Sequence, residues 1–332
     1  MTALAQADAL RLPLADNSVD LVVTSPPYFA LRSYRDGDEH YDGQIGSEAS
    51  PQEFLEALWA ATAEMVRVVK PSGSIFVNLG DKYARNNGRH KNGTGKSTLA
   101  GTPSAKGSAA ANVATYSTTM PPKSLMGLPW RYAIGCIDEL GLILRSEIVW
   151  SKPNGLPESV TDRVRRSHEQ WFHFTLEPRY FSAIDEIREA YTSEAAHAFT
   201  GHAKQYGDQR NDDGRNCVGE KNPLGKLPGS VWSIPSEPLQ VPDHLGVDHF
   251  AAFPQEWPRR LILGWSPPDG VVLDPFVGTG TVPMVARALG RTGIGVDLSA
   301  DYLRLADWRI HESGHAAKTI RRTNQDRQGS LL

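Results

Sequence analysis

The residues best suited to chemistry form two short clusters at opposite ends of the chain. Near the C-terminus, Val271-Val-Leu-Asp-Pro-Phe-Val-Gly-Thr-Gly-Thr281 reads as an apolar strand ending at Asp274, then a turn through Gly278 and Gly280 into a helix near Thr281. Glycine belongs where the backbone bends sharply and a ligand must approach with no Cβ in the way. The next strand, Ile294-Gly-Val-Asp297, ends in an acid. In a doubly wound sheet that position faces the ribose of a bound nucleoside, and a carboxylate can accept both hydroxyl hydrogens. The third glycine of a dinucleotide turn is missing and Asp274 would repel a pyrophosphate. The turn therefore suits a ligand with a cationic amine, such as the methionine end of S-adenosylmethionine. At the other end, Asp20–Thr24 runs into Ser25-Pro26-Pro27-Tyr28. The prolines fix the backbone and remove two amide donors, leaving carbonyls near Ser25 and Pro26 as acceptors beside a hydroxyl and an aromatic ring. Such a set holds a flat group bearing an amine: the ring stacks on its face and the acceptors take the amine hydrogens. Taken alone, Pro-Pro-Tyr also reads as a rigid loop that ends a strand.

Other chemistries find less support. Asn92-Gly-Thr-Gly-Lys-Ser-Thr98 is superficially like a phosphate-binding loop, but His90 stands where glycine is required and no apolar strand precedes it. Two cysteines, Cys136 and Cys217, make neither a disulfide framework nor a Cys-x-x-Cys metal pair, so the chain reads as cytoplasmic and metal-free.

The elements that must position these clusters alternate between strand and helix. Pro51 to Val68 carries apolar residues at Phe54, Leu55, Leu58, Ala61, Met65 and Val68, a helical stripe, with Ser50 placed to cap it and Pro51 at the first helical position. Gly73–Asn78, Leu142–Trp150 and Gln170–Thr175 read as further strands, and Trp130–Leu140, Trp257–Trp265, Val282–Leu289 and Asp301–Ile310 as helices. The alternation predicts an α/β fold, a doubly wound, mostly parallel sheet covered on both faces. With 40% apolar and 22% charged residues in 332, a large core is expected and wholesale disorder excluded.

The two clusters together resemble the amino-group DNA methyltransferases that modify cytosine N4 or adenine N6. Their order, with Ser-Pro-Pro-Tyr first and the glycine turn last, is that of the permuted group called β. The resemblance covers residues 1–83, 124–182 and 247–310. It implies a circularly permuted S-adenosylmethionine-dependent methyltransferase fold with an inserted recognition region. Residues 1–182 would be the catalytic half, with a basic loop inserted at about 84–123, and 183–246 the target-recognition region. Residues 247–310 would be the cofactor-binding half and 311–332 a polar tail. The resemblance assigns catalysis to Ser25, Pro26, Pro27 and Tyr28. It assigns the cofactor to Asp8, Ala9, Phe253, Pro254, Asp274, Pro275, Phe276, Gly278, Thr279, Gly280, Thr281, Asp297 and Leu298. His168-Glu169 leading into Trp171–Thr175 is similar to the late strand of the catalytic half.

In that family Ser ahead of Pro-Pro-Tyr is associated with cytosine and Asp or Asn with adenine, so Ser25 favours cytosine N4, with adenine N6 as the alternative. Methylation at cytosine C5 needs a cysteine nucleophile, and neither cysteine stands in the Pro-Cys setting of that chemistry. A non-catalytic DNA-binding protein on a vestigial methyltransferase fold is a reading from another class, against which the intact Gly278, Gly280 and Asp297 argue. A methyltransferase acting on RNA or on a protein amide is the third.

The net charge is -3, so binding to duplex DNA must come from local clusters. From Lys82 to Ile137 there is no Asp or Glu. Arg85, Arg89, Lys91 and Lys96 in this stretch, with Arg163, Arg165 and Arg166, are the expected phosphate contacts, a solvated linker and a solvated turn being the plainer alternatives. A cognate restriction endonuclease is the expected partner, and the oligomeric state stays open, a homodimer included.

Overall fold

A computed structural model describes residues 1–30, 35–36, 39–40, 44–84, 116–155, 157–191, 222–239, 241–247 and 252–312. Among these described residues ten strands and five α-helices follow in chain order. The first half contains β1 (Thr2–Gln6), β2 (Val19–Thr24), β3 (Arg35–Asp36), β4 (Glu39–His40), α1 (Pro51–Val68), β5 (Val69–Leu79) and α2 (Leu128–Asp138). Then come β6 (Ile143–Ser151), β7 (His168–Thr175), β8 (Val231–Ser233), α3 (Glu256–Trp265), β9 (Val271–Asp274), α4 (Thr281–Ala288), β10 (Thr292–Asp297) and α5 (Ala300–His311).

Eight strands form one sheet in the order β1-β10-β9-β2-β5-β7-β6-β8. All neighbouring pairs are parallel except the two made by β7, which runs against both β5 and β6. The expected α/β class holds. The central strands read as unbroken apolar runs because both of their faces are covered. Val22 packs with Phe54, Leu58 and Met65 of α1, while its neighbours Leu21 and Val23 pack with Trp257 and Leu261 of α3. Helix α1 begins as its sequence specifies, with Ser50 Oγ accepting from the amide of Glu53 at 3.2 Å. Its apolar stripe is buried along its length. Helix α2 begins two residues before the expected Trp130, at Leu128.

Two strands escape a reading of local pattern. Thr2–Gln6 has too mixed a composition to announce itself, yet it closes one edge by pairing with β10, Gln6 opposite Asp297. Val231–Ser233 lies in a stretch whose sequence reads as irregular, yet it adds a strand beside β6 at the other edge. Among the described residues no helix is long and apolar enough to cross a membrane.

Candidate functional site

In an open α/β sheet ligands gather where parallel strands end, and both sequence clusters lie on that edge. On β9, Val272 and Leu273 are buried, and the chain leaves the strand at Asp274 for the glycine turn. Gly278 and Gly280 take φ of +46° and +75°, a region that L side chains rarely adopt. A Cβ on Gly280 would also lie 2.9 Å from that of Ala306 on α5, so glycine is required there twice over. The amide of Gly278 donates to Asp297 Oδ2 at 2.9 Å, and that of Ser299 to Oδ1 at 3.0 Å. The acid at the end of β10 is thus oriented by two backbone amides. Beside it, Asp8 and Ala9 follow β1, Asp8 Oδ1 accepting from the amide of Leu10 at 2.9 Å, and Gln6 Nε2 donates to the carbonyl of Leu298 at 3.0 Å. Leu298 remains 37% exposed, an apolar surface next to an oriented carboxylate. This donor set fits a nucleoside, whose ribose needs acceptors and whose base needs an apolar face. Phe253 and Pro254 stand on the other side of β9, Phe253 with its ring edge-on to Trp171 at 5.7 Å and Pro254 buried ahead of α3.

Asp274 plays a part that its sequence position does not show. From sequence its charge suits a cationic amine. In the fold the carboxyl is sealed in at 1% exposure, its Oδ1 accepting from the Thr24 hydroxyl at 2.7 Å and the Phe276 amide at 3.1 Å. Burial pushes the group up to about 7, with the charge of Asp297 adding to the effect while the Thr24 and Phe276 bonds oppose it. The bond ties the glycine turn directly to the residue ahead of Ser25, across 250 positions of sequence. Under the same turn, Arg309 of α5 is buried, and its Nη1 donates to Thr279 Oγ1 and Thr281 Oγ1, each at 2.6 Å. Burial pulls this guanidinium down to about 10, the charge of Glu237 acting the other way.

The second cluster is built from four elements. Ser25 and Tyr28 follow β2 and Asn78 is the penultimate residue of β5. Because β7 is reversed, its first residues, His168 and Glu169, reach the edge where the parallel strands finish, beside Lys152 just beyond β6. The Tyr28 hydroxyl lies 2.8 Å from Asn78 Oδ1 and 2.9 Å from Glu169 Oε2, and Ser25 Oγ lies 3.3 Å from the same Asn78 oxygen. Asn78 Nδ2 donates to the carbonyl of Gln170 at 3.1 Å, which fixes the amide. Lys152 Nζ pairs with Glu169 Oε1 at 2.5 Å. Gly80 leaves the space the ring occupies: a Cβ there would come 2.6 Å from Tyr28 Cε2. From sequence Asn78 ends a strand and Glu169 stands just ahead of one, whereas β7 in fact begins at His168; neither residue is seen from sequence to meet Tyr28, and Lys152 is not singled out. A polar residue at the end of an apolar strand is the one local signal that marks Asn78.

The arginines differ among themselves. Arg165 is exposed, with Nη1 donating to the carbonyl of Gly155 at 2.8 Å. Arg163 pairs with Glu158 at 2.8 Å and lies 3.9 Å over the Tyr83 ring, and Arg166, 13% exposed, lies 3.7 Å from Asp81. Arg85, Arg89, Lys91 and Lys96 lie outside the described residues. Cys136 is in the core, its thiol pushed up to about 12 by burial, which makes it inert as a nucleophile. Cys217 lies outside the described residues. Among the described residues no group of three or more His, Cys, Asp or Glu is arranged to hold a metal ion.

A family model described as a DNA methylase, of the N6 and N4 class, matches residues 19–307. The Type II methyltransferase M.Cfr9I of Citrobacter freundii is 35% identical over 311 residues, covering 92% of this chain and 86% of that protein. The Type II methyltransferase M.SmaI of Serratia marcescens is 33% identical over 291 residues, covering 88% and 84%. Among solved structures, PvuII DNA methyltransferase (cytosine-N4-specific) superposes with a TM-score of 0.61 at 18% identity, covering 97% of this chain and 92% of that one. A Thermus thermophilus protein crystallised with S-adenosyl-L-methionine superposes with a TM-score of 0.54 at 21% identity, covering 95% and 94%. At these identities the two structures speak to the fold.

Proposed function

The chain belongs to the DNA methylase family of the N6 and N4 class, and from that premise we propose that it transfers a methyl group from S-adenosylmethionine to the N4 amine of a cytosine in duplex DNA. The cofactor, when bound, supplies an electrophilic methyl on a sulfonium. Asp297 and Leu298, with Asp8 and Ala9, hold its nucleoside, and the backbone from Pro275 to Thr281 lines its other end. The target base is flipped from the duplex to reach the turn, and Tyr28 stacks on it. An exocyclic amine is a weak nucleophile because its lone pair is delocalised into the ring. Ser25 Oγ and the Pro26 carbonyl accept its two N–H groups, draw the nitrogen toward tetrahedral geometry and expose the lone pair. Catalysis is then positioning and electrostatics.

The observation that carries the choice of base is Ser25 itself. The hydroxyl stands where a carboxylate or amide would favour adenine. A hydroxyl both donates and accepts, which fits a base edge with an amine beside a ring nitrogen. Recognition of a specific sequence is assigned to residues 183–246, phosphate contacts to Arg165 and the basic stretch from Arg85 to Lys96, and the site of action to the cytoplasm. The Type II names of the relatives are the ground for proposing a partner endonuclease of the same specificity. The test is to incubate the protein with duplex DNA and labelled cofactor, digest the DNA to nucleosides and identify the methylated one by mass spectrometry. N4-methylcytosine is expected. N6-methyladenine would overturn the base assignment, and label on RNA or protein alone would overturn the substrate.

A further inference from the structure

The Tyr28 hydroxyl carries one hydrogen, yet two acceptors stand within reach of it, Asn78 Oδ1 at 2.8 Å and Glu169 Oε2 at 2.9 Å. Asn78 cannot turn its amide to become the donor, because its Nδ2 is held by the Gln170 carbonyl at 3.1 Å. Glu169 cannot readily swing away, because Lys152 grips its other oxygen at 2.5 Å. Lys152 is held in turn, its ammonium 4.0 Å over the Trp150 ring. Both side chains of the ion pair are mostly buried, 22% and 16% exposed, so solvent screens it less than it screens a surface pair. The hydroxyl is therefore clamped between two rigid oxygens while the ring edge lies against Gly80.

We propose that Glu169, braced by Lys152, is a positioning residue that sets the plane of the Tyr28 ring. The ring presents its face to the flipped base only if it cannot rotate about its bonds. A tyrosine following two prolines has a fixed backbone, but its side chain still needs an anchor at the far end. Glu169 provides that anchor from β7, the one reversed strand of the main sheet. A charge-assisted hydrogen bond is shorter and stronger than a neutral one, so of the two acceptors the carboxylate carries more of the restraint. Asn78 Oδ1 is correspondingly less engaged and stays beside Ser25. The inference rests on the proposed reaction, in which Tyr28 stacks on the target base.

The test is a double-mutant cycle on the full-length protein with a methylatable duplex and S-adenosylmethionine. Glu169→Ala should lower kcat about tenfold, the scale of one lost hydrogen bond to a charged group, with KM for the cofactor unchanged. In the Tyr28→Phe background, which has no hydroxyl to hold, Glu169→Ala should change kcat less than about twofold. Glu169→Gln, which keeps the shape but has one acceptor oxygen for two donors and no charge to pair with Lys152, should recover only part of the rate. Equal losses in both backgrounds would overturn the proposal, since Glu169 would then act independently of Tyr28. If Glu169→Ala does not fold, Lys152→Met run through the same cycle gives the same decision. A wild-type protein that methylates no DNA would instead refute the reaction on which the inference rests.

Discussion

Replacing Asp274 by Asn tests how the two halves of the site are joined. The wild-type carboxyl is held at about 7 against an ordinary value of 3.8, chiefly by burial. The folded protein therefore binds a proton there that the unfolded chain releases, and the contribution to stability is full below about pH 3.8 and lost as pH rises through about 7. With those two values the contribution is about 3 kcal/mol at pH 5 and falls well below about 1 kcal/mol once the pH passes 7. Asparagine has nearly the same shape, and its Oδ1 can still accept from Thr24 and the Phe276 amide, but it has no titrating proton. Relative to wild type, Asp274→Asn should gain about 2–3 kcal/mol of stability between pH 5 and pH 8. Urea unfolding followed by tryptophan fluorescence at each pH unit reads this difference directly, since every other titrating group is common to both proteins. A gap that stays constant from pH 5 to 8 would refute the reasoning. The carboxyl would then be ionised throughout, with more compensating donors than Thr24 and Phe276.

Three further outcomes are expected. Gly280→Ala forces a side chain to φ +75° and within 2.9 Å of the Ala306 Cβ, so calorimetry should show at least a tenfold loss of S-adenosylmethionine affinity with circular dichroism unchanged; normal affinity would remove the turn from the cofactor site. Arg309→Met takes the guanidinium from the Thr279 and Thr281 hydroxyls, which keep only the 3.2 Å bond to each other beneath the same turn, and should cost about 1–3 kcal/mol in thermal melts, with a smaller cofactor-induced rise in Tm than wild type shows. Neutralising Arg85, Arg89, Lys91 and Lys96 together should reduce the slope of log affinity against log salt by about two to four units with site preference unchanged; an unaltered slope would make the stretch a linker, and an altered site preference would make it a reader of bases.

The local signals were strong where one short segment carries the whole instruction. Ser50-Pro51 starts α1 because the serine oxygen and the proline φ both act within one turn. Gly278 and Gly280 announce the turn after β9 because only glycine takes their backbone angles cheaply. Ser25-Pro-Pro-Tyr28 brings a hydroxyl, free carbonyls and an aromatic ring together within four residues. The alternation of apolar strands with helices of about ten residues was sufficient for the α/β class, since it depends only on period and length.

What sequence could not supply was direction and partnership. A run of consecutive buried residues marks β7 as an interior strand, but such a run reads the same in either direction, and only the reversed direction brings Glu169 to the edge that holds Tyr28. Asp274 looks like an acid waiting for a ligand until Thr24, 250 positions earlier, closes over it. Thr2–Gln6 becomes a strand only because β10 offers it an edge. Arg309 is a polar residue near the end of a helix in sequence and a buried strut under the glycine turn in the fold. The physical reason is common to all four. Backbone geometry and side-chain chemistry are properties of a residue and its neighbours in the chain, whereas burial, charge environment and hydrogen-bond partners are set by whatever the sheet order brings alongside.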